Sequence, residues 1–390
     1  MSQEQIKRVL VLHAYSSRNR GDGLLVDETI ELVREAYGSQ AEIRVLAMDA
    51  ESFSDRRGYE VIQLPITSPG AASKIRALWK IISSPGTLGF GHRELERWID
   101  ESPSQSVIVA VGGGYMRSTN LVQSIKFFLA HGLQLRFAAR RHCRSVYLSQ
   151  SIGPFRCAVG RWLQKTAPQV TTLVARDDRS VQELGCPSSV VRLPDLAVLR
   201  ISQSLVSAVP RSVSQGRTRR FVLVLRDLEG DVARREKYYK LCRGLIAKLE
   251  QDRVVLAIQS VGRGNDDAAF YQRMNFGPQV LPIDAALNMY KDAVVVSVRL
   301  HGALQSIISG FPTVHLSYER KGFGAYEDLG IKGLVHNAFD FDVDVVAQQA
   351  EELSAHPHVF WERISEKQEL LRSAHGRLVG LMRGDLAHGI

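Results

Sequence analysis

The chain has 390 residues, of which 45% are hydrophobic and 23% charged, and its formal net charge is +9. This length is too great for one ordinary core and predicts two domains of roughly 150 to 200 residues. No apolar run approaches the roughly 20 residues of a membrane span, and the start MSQEQIKR is polar. We therefore expect a cytoplasmic protein without a membrane helix or a secretory signal.

Short apolar strands alternate with amphipathic helices through the first 200 residues. The strand KRVLVLHAYS precedes the loop SRNRGDG and a helix at 24–38; the same order returns with AEIRVLAMD, a helix at 71–83 and the strand SVIVAVGGG. Next we predict a helical stretch over Leu121–Arg140, followed by the strands SVYLSQSIGPF and TTLVAR with a helix between them. This alternation predicts a doubly wound, mainly parallel sheet.

The periodic pattern stops at residues 201–220, which are rich in Ser and Arg and are predicted to be a linker. Alternation then resumes and ends in helical segments at 343–352 and 358–381. We predict an α/β protein with two Rossmann-like domains, at 1–200 and 221–390, the last helices being candidates to pack back on the first domain. Its active site is expected in the interdomain cleft, beyond the carboxyl ends of the strands.

Three glycine-bearing segments follow predicted strands: Gly21–Gly23, Gly112–Gly114, and Gly153 with Pro154. Such segments either bring backbone N–H groups close to an anion or simply form tight turns. None matches GxGxxG or GxxxxGK[ST], which disfavours a nicotinamide or P-loop nucleotide site. The four cysteines lack metal-type spacing and no other ligand cluster is seen, so no metal is predicted.

Three polar residues at strand ends or helix starts have two readings each. Asp22 either caps a helix or receives or orients a sugar hydroxyl. Arg176 either lies on the surface after its strand or contacts a ligand. Asp195 is read as a turn or domain-interface residue.

Arg299 and His301 stand where the apolar strand AVVVS turns into the apolar segment GALQSIISG. Burial of such residues is costly unless something pairs with them. Arg offers a planar fork to an anion, His can transfer a proton near neutral pH, and a helix start adds N–H groups. The two therefore indicate an anion pocket with its own acid; the alternative is a core Arg and His with structural partners.

Two further features bear on charge. Lys321, in the segment YERKGFG, either neutralises a phosphate or is a mobile surface lysine. The basic stretch Leu135–Arg144 is either a solvated helix end or a surface for anionic lipid. The net charge favours an anionic partner, and because no nucleic-acid motif is present, DNA and RNA are disfavoured.

Several segments together resemble the polysaccharide pyruvyl transferases. They are, in order, NRGDG, VGGGYMRS, SQSIGPF, ARDDRSVQELG, LPDLAV and, as the strongest, SVRLHGALQSIISGFPTV. The resemblance implies a fold similar to GT-B glycosyltransferases. It also implies transfer of a pyruvyl group from phosphoenolpyruvate, the co-substrate, with no other cofactor.

The acceptor implied by the resemblance is a hexose of a cell-surface polysaccharide or of its lipid-linked precursor, such as an undecaprenyl-diphosphate-linked oligosaccharide. Peripheral contact with the inner face of the membrane would follow from a lipid-linked acceptor. The implied residues are His301 and Asp22 for catalysis, Arg176, Arg299, Leu300 and Lys321 for the donor, and Asn19, Gly21, Gly113 and Gly114 for the acceptor.

Two other functions fit the same architecture. A nucleotide-sugar glycosyltransferase could use paired Rossmann-like domains, since one fold hosts many chemistries. A non-catalytic module that binds glycans or lipids is the third reading.

Overall fold

The chain divides into two compact units in the computed structural model, which describes residues 5–65, 93–156, 158–204, 219–262 and 265–385. The first unit comprises Met1–Ser17, Leu25–Leu196 and Ala374–Ile390, and the second comprises Arg18–Leu24 and Ala197–Ser373. The segment Arg18–Leu24 therefore belongs to the second unit, although the predicted boundaries include it in the N-terminal domain. The helix predicted at 71–83, most of the predicted linker (205–218) and Cys157 lie outside the described residues.

A parallel sheet forms the core of the first unit, with strand order β3-β2-β1-β4-β6-β7-β8 and β5 paired to β6. Its strands are β1 (Arg8–Ala14), β2 (Glu42–Ala47), β3 (Glu60–Gln63), β4 (Ser106–Ala110), β5 (Gly113–Ser118), β6 (Arg144–Phe155), β7 (Thr172–Ala175) and β8 (Val190–Arg192). Aliphatic side chains such as Leu10, Ile108 and Leu173 are fully buried, as expected of strands covered on both faces. The predicted doubly wound α/β sheet is confirmed.

The helices associated with this sheet are α1 (Arg20–Tyr37), α2 (Arg93–Asp100), α3 (Leu121–Phe127), α4 (Leu133–Ala138), α5 (Ala158–Thr166), α6 (Asp178–Glu183) and the start of α7 (Leu196–Ser204). The helical stretch predicted over Leu121–Arg140 is observed from Leu121 to Ala138, with a π-helical turn at Phe128–Gly132 between α3 and α4. The wide turn holds the buried His131, whose ring stacks on Tyr115 at 4.5 Å and whose Nδ1 lies 3.1 Å from Nδ1 of His13. Apolar spacing alone does not reveal such an extra residue in a turn.

A second parallel sheet, of order β13-β10-β9-β14-β15-β16, forms the core of the second unit. Its strands are β9 (Phe221–Val224), β10 (Val254–Ile258), β13 (Gln279–Pro282), β14 (Val294–Ser297), β15 (Thr313–Ser317) and β16 (Val335–Asn337). A short antiparallel pair, β11 (Val261–Gly262) and β12 (Asn265–Asp266), follows β10. Valines and alanines of β9, β10 and β14 build a buried cluster with Ile283 and Phe311.

The helices of the second unit connect these strands and then close the chain. They are α8 (Val232–Lys248), α9 (Asp267–Met274), α10 (Ile283–Met289), α11 (Leu300–Ile308), α12 (Arg320–Asp328), α13 (Val343–Ala355), α14 (Pro357–Ser365) and α15 (Gln368–Arg383). The segment predicted as helical at 358–381 is divided between α14 and α15. The end of α15 belongs to the first unit, where Tyr37 donates its hydroxyl hydrogen to the Met382 carbonyl at 2.6 Å.

Candidate active site

The carboxyl edge of the second sheet carries most of the residues predicted for donor binding. Val224 of β9, Ser297 of β14 and His315 of β15 share one row of the register. Two residues beyond this row, β9 leads to Arg226 and β14 leads to Arg299. Ligands of open parallel sheets bind beyond this edge, so we take it as the first part of the candidate site.

The first turn of α1 contributes to the same edge. Asn19 pairs with Ser260 in an isolated antiparallel bridge just after β10. The Oδ1 of Asn19 accepts the Gly21 N–H at 3.3 Å, and its Nδ2 donates to Oδ2 of Asp22 at 2.8 Å. Asn19 therefore caps α1, so the capping reading of Asp22 is wrong. Gly21–Gly23, predicted as a loop, lies inside the first helical turn.

Asp22 is partly buried and lies near two positively charged side chains. Its burial raises its pKa to about 6, against the opposing effects of the Asn19 hydrogen bond and the charges of Lys321 and Arg299. A carboxyl group with such a pKa changes its charge near neutral pH, as a general acid or base must.

Arg299 forms a buried ion pair with Asp267 of α9. The Arg299 Nε donates to both carboxylate oxygens, at 3.1 and 3.0 Å, and Nη2 also contacts Oδ1. The Oδ2 of Asp267 accepts the N–H groups of Gln259 and Ser260 as well, each at 3.0 Å. The fold thus supplies a structural partner for Arg299, which the sequence left open.

The two histidines near Arg299 differ in their surroundings. His315 is buried, its Nδ1 donates to the Ser297 carbonyl at 2.7 Å, and burial lowers its pKa to about 4. His301, in the first turn of α11, is partly exposed and lies against Gly21. A side chain at Gly21 would place its Cβ 2.8 Å from the His301 Cβ. His315 is therefore a neutral structural group, whereas part of the His301 side chain is exposed although its Nε2 is buried.

Lys321 and Leu300 lie in the first turns of the two helices that follow β15 and β14. Lys321 Nζ lies 2.7 Å from Oε2 of Glu319, and a quarter of the lysine side chain is exposed. Leu300 is the buried first residue of α11. Its contribution to a ligand site would therefore come from its backbone N–H, one of the groups that a helix start leaves without an intrahelical acceptor.

Arg176 forms a second buried ion pair, in the first unit. It follows β7, its Nη1 lies 2.5 Å from Oδ2 of Asp195, and its Nε donates to Ser151 Oγ at 2.5 Å. Ser151 in turn donates to Asp177 at 3.2 Å, and Asp177 caps α6 through the Ser180 N–H. Arg176 is therefore neither a bare surface residue nor an uncompensated charge.

Gly113 and Gly114 begin β5. A Cβ at Gly114 would lie 3.3 Å from Nη2 of Arg176 and 3.8 Å from Cβ of Ser151. A Cβ at Gly113 would lie 3.1 Å from the ring of Tyr115. Gly114 therefore lies beside Arg176.

The sequence model of one family matches most of the chain. It is described as polysaccharide pyruvyl transferase, and it matches residues 19–320. The chain belongs to the polysaccharide pyruvyl transferase family. The resemblance found in the sequence motifs is thereby confirmed, and the matched residues include every predicted site residue except Lys321.

Solved structures confirm the GT-B-type fold of this pyruvyl transferase family member. UDP-GlcNAc 2-epimerase from Neisseria meningitidis, bound to UDP-GlcNAc, has a TM-score of 0.54 at 11% identity, covering 96% of this chain and 99% of the epimerase. MnaA of S. aureus in complex with UDP has a TM-score of 0.53 at 13% identity, covering 97% of this chain and 96% of MnaA. A UDP-forming trehalose-phosphate synthase from Burkholderia xenovorans, in complex with glucose-6-phosphate, has a TM-score of 0.52 at 14% identity, covering 97% of this chain and 98% of the synthase. A comparison with curated proteins gave no match.

The division of the predicted site residues between the two units differs from their division between donor and acceptor in the sequence-based assignment. Asn19, Gly21 and Asp22, of which two were assigned to the acceptor, lie in the second unit with His301 and the other residues of its sheet edge. Arg176, assigned to the donor, lies in the first unit beside Gly114, assigned to the acceptor. Whether Arg176 and Arg299 serve one donor stays a prediction.

Two of the four arginines of the basic stretch Leu135–Arg144 make structural contacts. Arg141 pairs with Asp100 at 3.0 Å, and Nη1 of Arg144 donates to the Met382 carbonyl at 3.0 Å. Arg140 is exposed. The choice between a solvated helix end and a surface for anionic lipid stays a prediction. Within the described part of the chain, no helix has the length and apolarity to span a membrane.

Sequence reasoning missed Asp267 and Arg226. Asp267 follows three polar residues in RGNDD and looks like an ordinary first-turn carboxylate. Arg226 carried a usable signal, because it comes directly after the apolar run FVLVL, as Arg176 follows TTLVA.

Proposed function

We propose that this family member transfers the enolpyruvyl group of phosphoenolpyruvate to a hexose, forming a pyruvate ketal and releasing phosphate. Family membership supports pyruvyl transfer. The observation that carries the proposal is that Asp22, whose carboxyl group lies near Lys321 and Arg299, directly follows Gly21, which lies against His301 in the first turn of α11. An acid, a base and anion-binding groups are what the reaction needs.

The chemistry balances with one proton moved to carbon. Protonation of the donor methylene carbon makes a methyl group and leaves positive charge on the adjacent carbon, which one sugar hydroxyl attacks. The bond from this carbon to the phosphate oxygen breaks, and a second hydroxyl closes the ring. Of the two hydroxyl protons, one replaces the proton given to carbon and the other leaves with hydrogen phosphate.

His301 is the proposed general acid. It is partly exposed at a helix start, whereas His315 is buried and neutral. A positioned acid of this kind typically contributes about 100- to 10,000-fold to a rate. His301 would protonate the methylene carbon.

Asp22 is the proposed base that receives the hydroxyl proton. With a pKa of about 6 it is mostly ionised at pH 7 and still basic enough to accept a proton as the hydroxyl attacks. Asn19, which donates to Asp22, and Gly21, which lies against His301, would then lie beside the attacking hydroxyl.

The donor carries a carboxylate and a phosphate, so its binding requires several positive groups. The proposed ligands are Lys321, Arg299, the Leu300 N–H and Arg176. Asp267 compensates much of the charge of Arg299, and Asp195 that of Arg176. Gly113 and Gly114 remain proposed for the acceptor. The scheme uses no metal and no cofactor other than phosphoenolpyruvate as co-substrate.

Incubation of the full chain with phosphoenolpyruvate and candidate acceptors tests the proposal. The acceptors would include free polysaccharide and lipid-linked oligosaccharide, and the readouts are phosphate release and the proton NMR signal of the new ketal methyl group. We expect both signals only when an acceptor is present. Release of nucleoside diphosphate from a sugar nucleotide, without use of phosphoenolpyruvate, would instead identify a glycosyltransferase. Binding of a glycan without turnover of either donor would identify a non-catalytic module.

A further inference from the structure

Arg226 lies at the carboxyl end of the central strand of the second sheet. β9 ends at Val224, which is level with Ser297 of β14. Arg226 and Arg299 are each two residues past that row, on neighbouring strands that in a sheet are about 5 Å apart. Arg226 therefore belongs to the same edge as the proposed donor ligands.

The side chain of Arg226 extends toward β15. Its Nη1 donates to the Tyr318 hydroxyl at 2.9 Å, and its guanidinium lies 5.2 Å from the centre of the Tyr318 ring. Tyr318 directly follows β15, and β14 lies between β9 and β15. The two side chains must therefore meet over the end of β14, from which Arg299 and His301 emerge.

The charge of Arg226 is less compensated than that of the neighbouring cations. Its other hydrogen bond runs from Nε to the main-chain oxygen of Asp227 at 3.1 Å. Among the described residues, no carboxylate lies within ion-pair distance of its guanidinium and no acceptor contacts Nη2. By contrast, Arg299 is paired with Asp267 and Lys321 with Glu319.

A partly buried guanidinium with unused N–H donors is suited to an oxyanion, because a planar fork binds carboxylate or phosphate through two parallel hydrogen bonds. Tyr318 and the Asp227 carbonyl hold the group in place, which lowers the entropy lost on binding. We propose that Arg226 is an oxyanion-binding residue for the donor. This inference rests on the proposed function.

Calorimetric titration of phosphoenolpyruvate into the wild type and three variants tests it. Arg226→Gln removes the charge, and Tyr318→Phe removes only the hydroxyl that orients it. The matched control is Arg243→Gln, because exposed Arg243 also donates to a carbonyl, that of Met274 at 3.5 Å, and lies 5.9 Å from the ring of Phe276. Thermal unfolding of each variant monitors structural damage.

We expect Arg226→Gln to weaken phosphoenolpyruvate binding by about 10- to 100-fold, as for loss of hydrogen bonds to a charged group. Tyr318→Phe should weaken it by roughly 3-fold and Arg243→Gln by less than about 2-fold, with similar unfolding temperatures throughout. Competition experiments with inorganic phosphate and with pyruvate show whether Arg226 contacts the phosphate or the carboxylate of the donor. Arg226→Gln should weaken the binding of only that competitor whose oxyanion Arg226 contacts.

Equal affinity in the Arg226→Gln and Arg243→Gln proteins would overturn the inference while leaving the proposed function intact. If Arg226→Gln lowers the unfolding temperature together with the affinity for phosphoenolpyruvate, Arg226 has a structural role instead. A wild-type protein that binds no phosphoenolpyruvate would overturn the proposed function and this inference together.

Discussion

Each unit holds a buried arginine and aspartate pair, at the end of a parallel strand, but the surroundings of the two pairs differ. In the first unit, the neighbours of Arg176 and Asp195 are Ser151 and the bare backbone of Gly114. In the second unit, Arg299 and Asp267 lie near Asp22, His301 and Lys321.

The difference indicates a division of roles. A rigid arginine beside glycine allows a ligand to approach the backbone closely, which suits binding. A carboxyl group whose pKa is raised to about 6, as that of Asp22 is, suits proton transfer. We therefore expect changes in the first unit to affect mainly substrate binding and changes in the second unit to affect mainly turnover.

The largest expected effect is on stability. Asp267→Ala should lower the free energy of unfolding by about 3–5 kcal/mol, because it leaves a buried charge without its partner. It also removes the acceptor of two buried backbone N–H groups, so the loss should exceed that of Asp195→Ala. Urea unfolding measures both, with exposed Asp340→Ala as the control. Equal losses for Asp267→Ala and Asp195→Ala would show that the two N–H bonds contribute little.

The next effect is on turnover. His301→Ala should lower kcat by roughly 100-fold or more while phosphoenolpyruvate binding is largely kept, as expected for loss of a general acid. Phosphate release and calorimetry measure the two quantities. The control is His358→Ala, because His358 is an exposed histidine of α14. Near-normal turnover would remove His301 from this role.

Ser151→Ala extends the comparison to the first unit. It removes the oxygen that accepts the Arg176 Nε hydrogen, so we expect KM to change more than kcat. A larger effect on kcat would break the division of roles between the units.

The next prediction concerns pH. Because the pKa of Asp22 is raised to about 6, its carboxylate is lost below that pH, and wild-type kcat should fall roughly 10-fold per pH unit further down. Asp22→Asn should be slower by about 10-fold or more at pH 7 and should lack that acidic limb. Titration of the substrate phosphate occurs in both proteins, so the difference between their profiles reports Asp22. Parallel profiles would contradict a role as base.

The same pKa has a stability consequence of known sign. A carboxyl group whose pKa is raised by folding stabilises the fold in its neutral form, below its ordinary pKa of about 3.8, and this stabilisation is lost as pH rises through about 6. Asp22→Asn should therefore gain stability relative to the wild type between pH 4 and pH 8. Urea unfolding at the two pH values measures this, independently of activity.

The fold could be predicted because its signals are local. Strand and helix periods are visible in short windows, and the unusual polar pair Arg299 and His301 stood out against apolar neighbours. The partner of Arg299 could not be predicted in this way, because Asp267 comes 32 residues earlier and meets it only through the strand order. Likewise, nothing local indicates that Asn19 would pair with Ser260 in the second unit.

The smallest expected effect compares one glycine from each unit. An alanine Cβ at Gly21 would lie 2.8 Å from the His301 Cβ, which cannot move without its backbone, whereas at Gly114 it would lie 3.3 Å from the terminal Nη2 of Arg176. We expect Gly21→Ala to lower kcat by about 5-fold through displacement of His301, and Gly114→Ala to raise KM by less than about 3-fold. Steady-state kinetics on both variants, with Gly376→Ala as a control in open space, separates these outcomes. If Gly114→Ala instead lowered kcat more than Gly21→Ala, the chemistry would have to be placed beside Arg176 rather than beside Arg299.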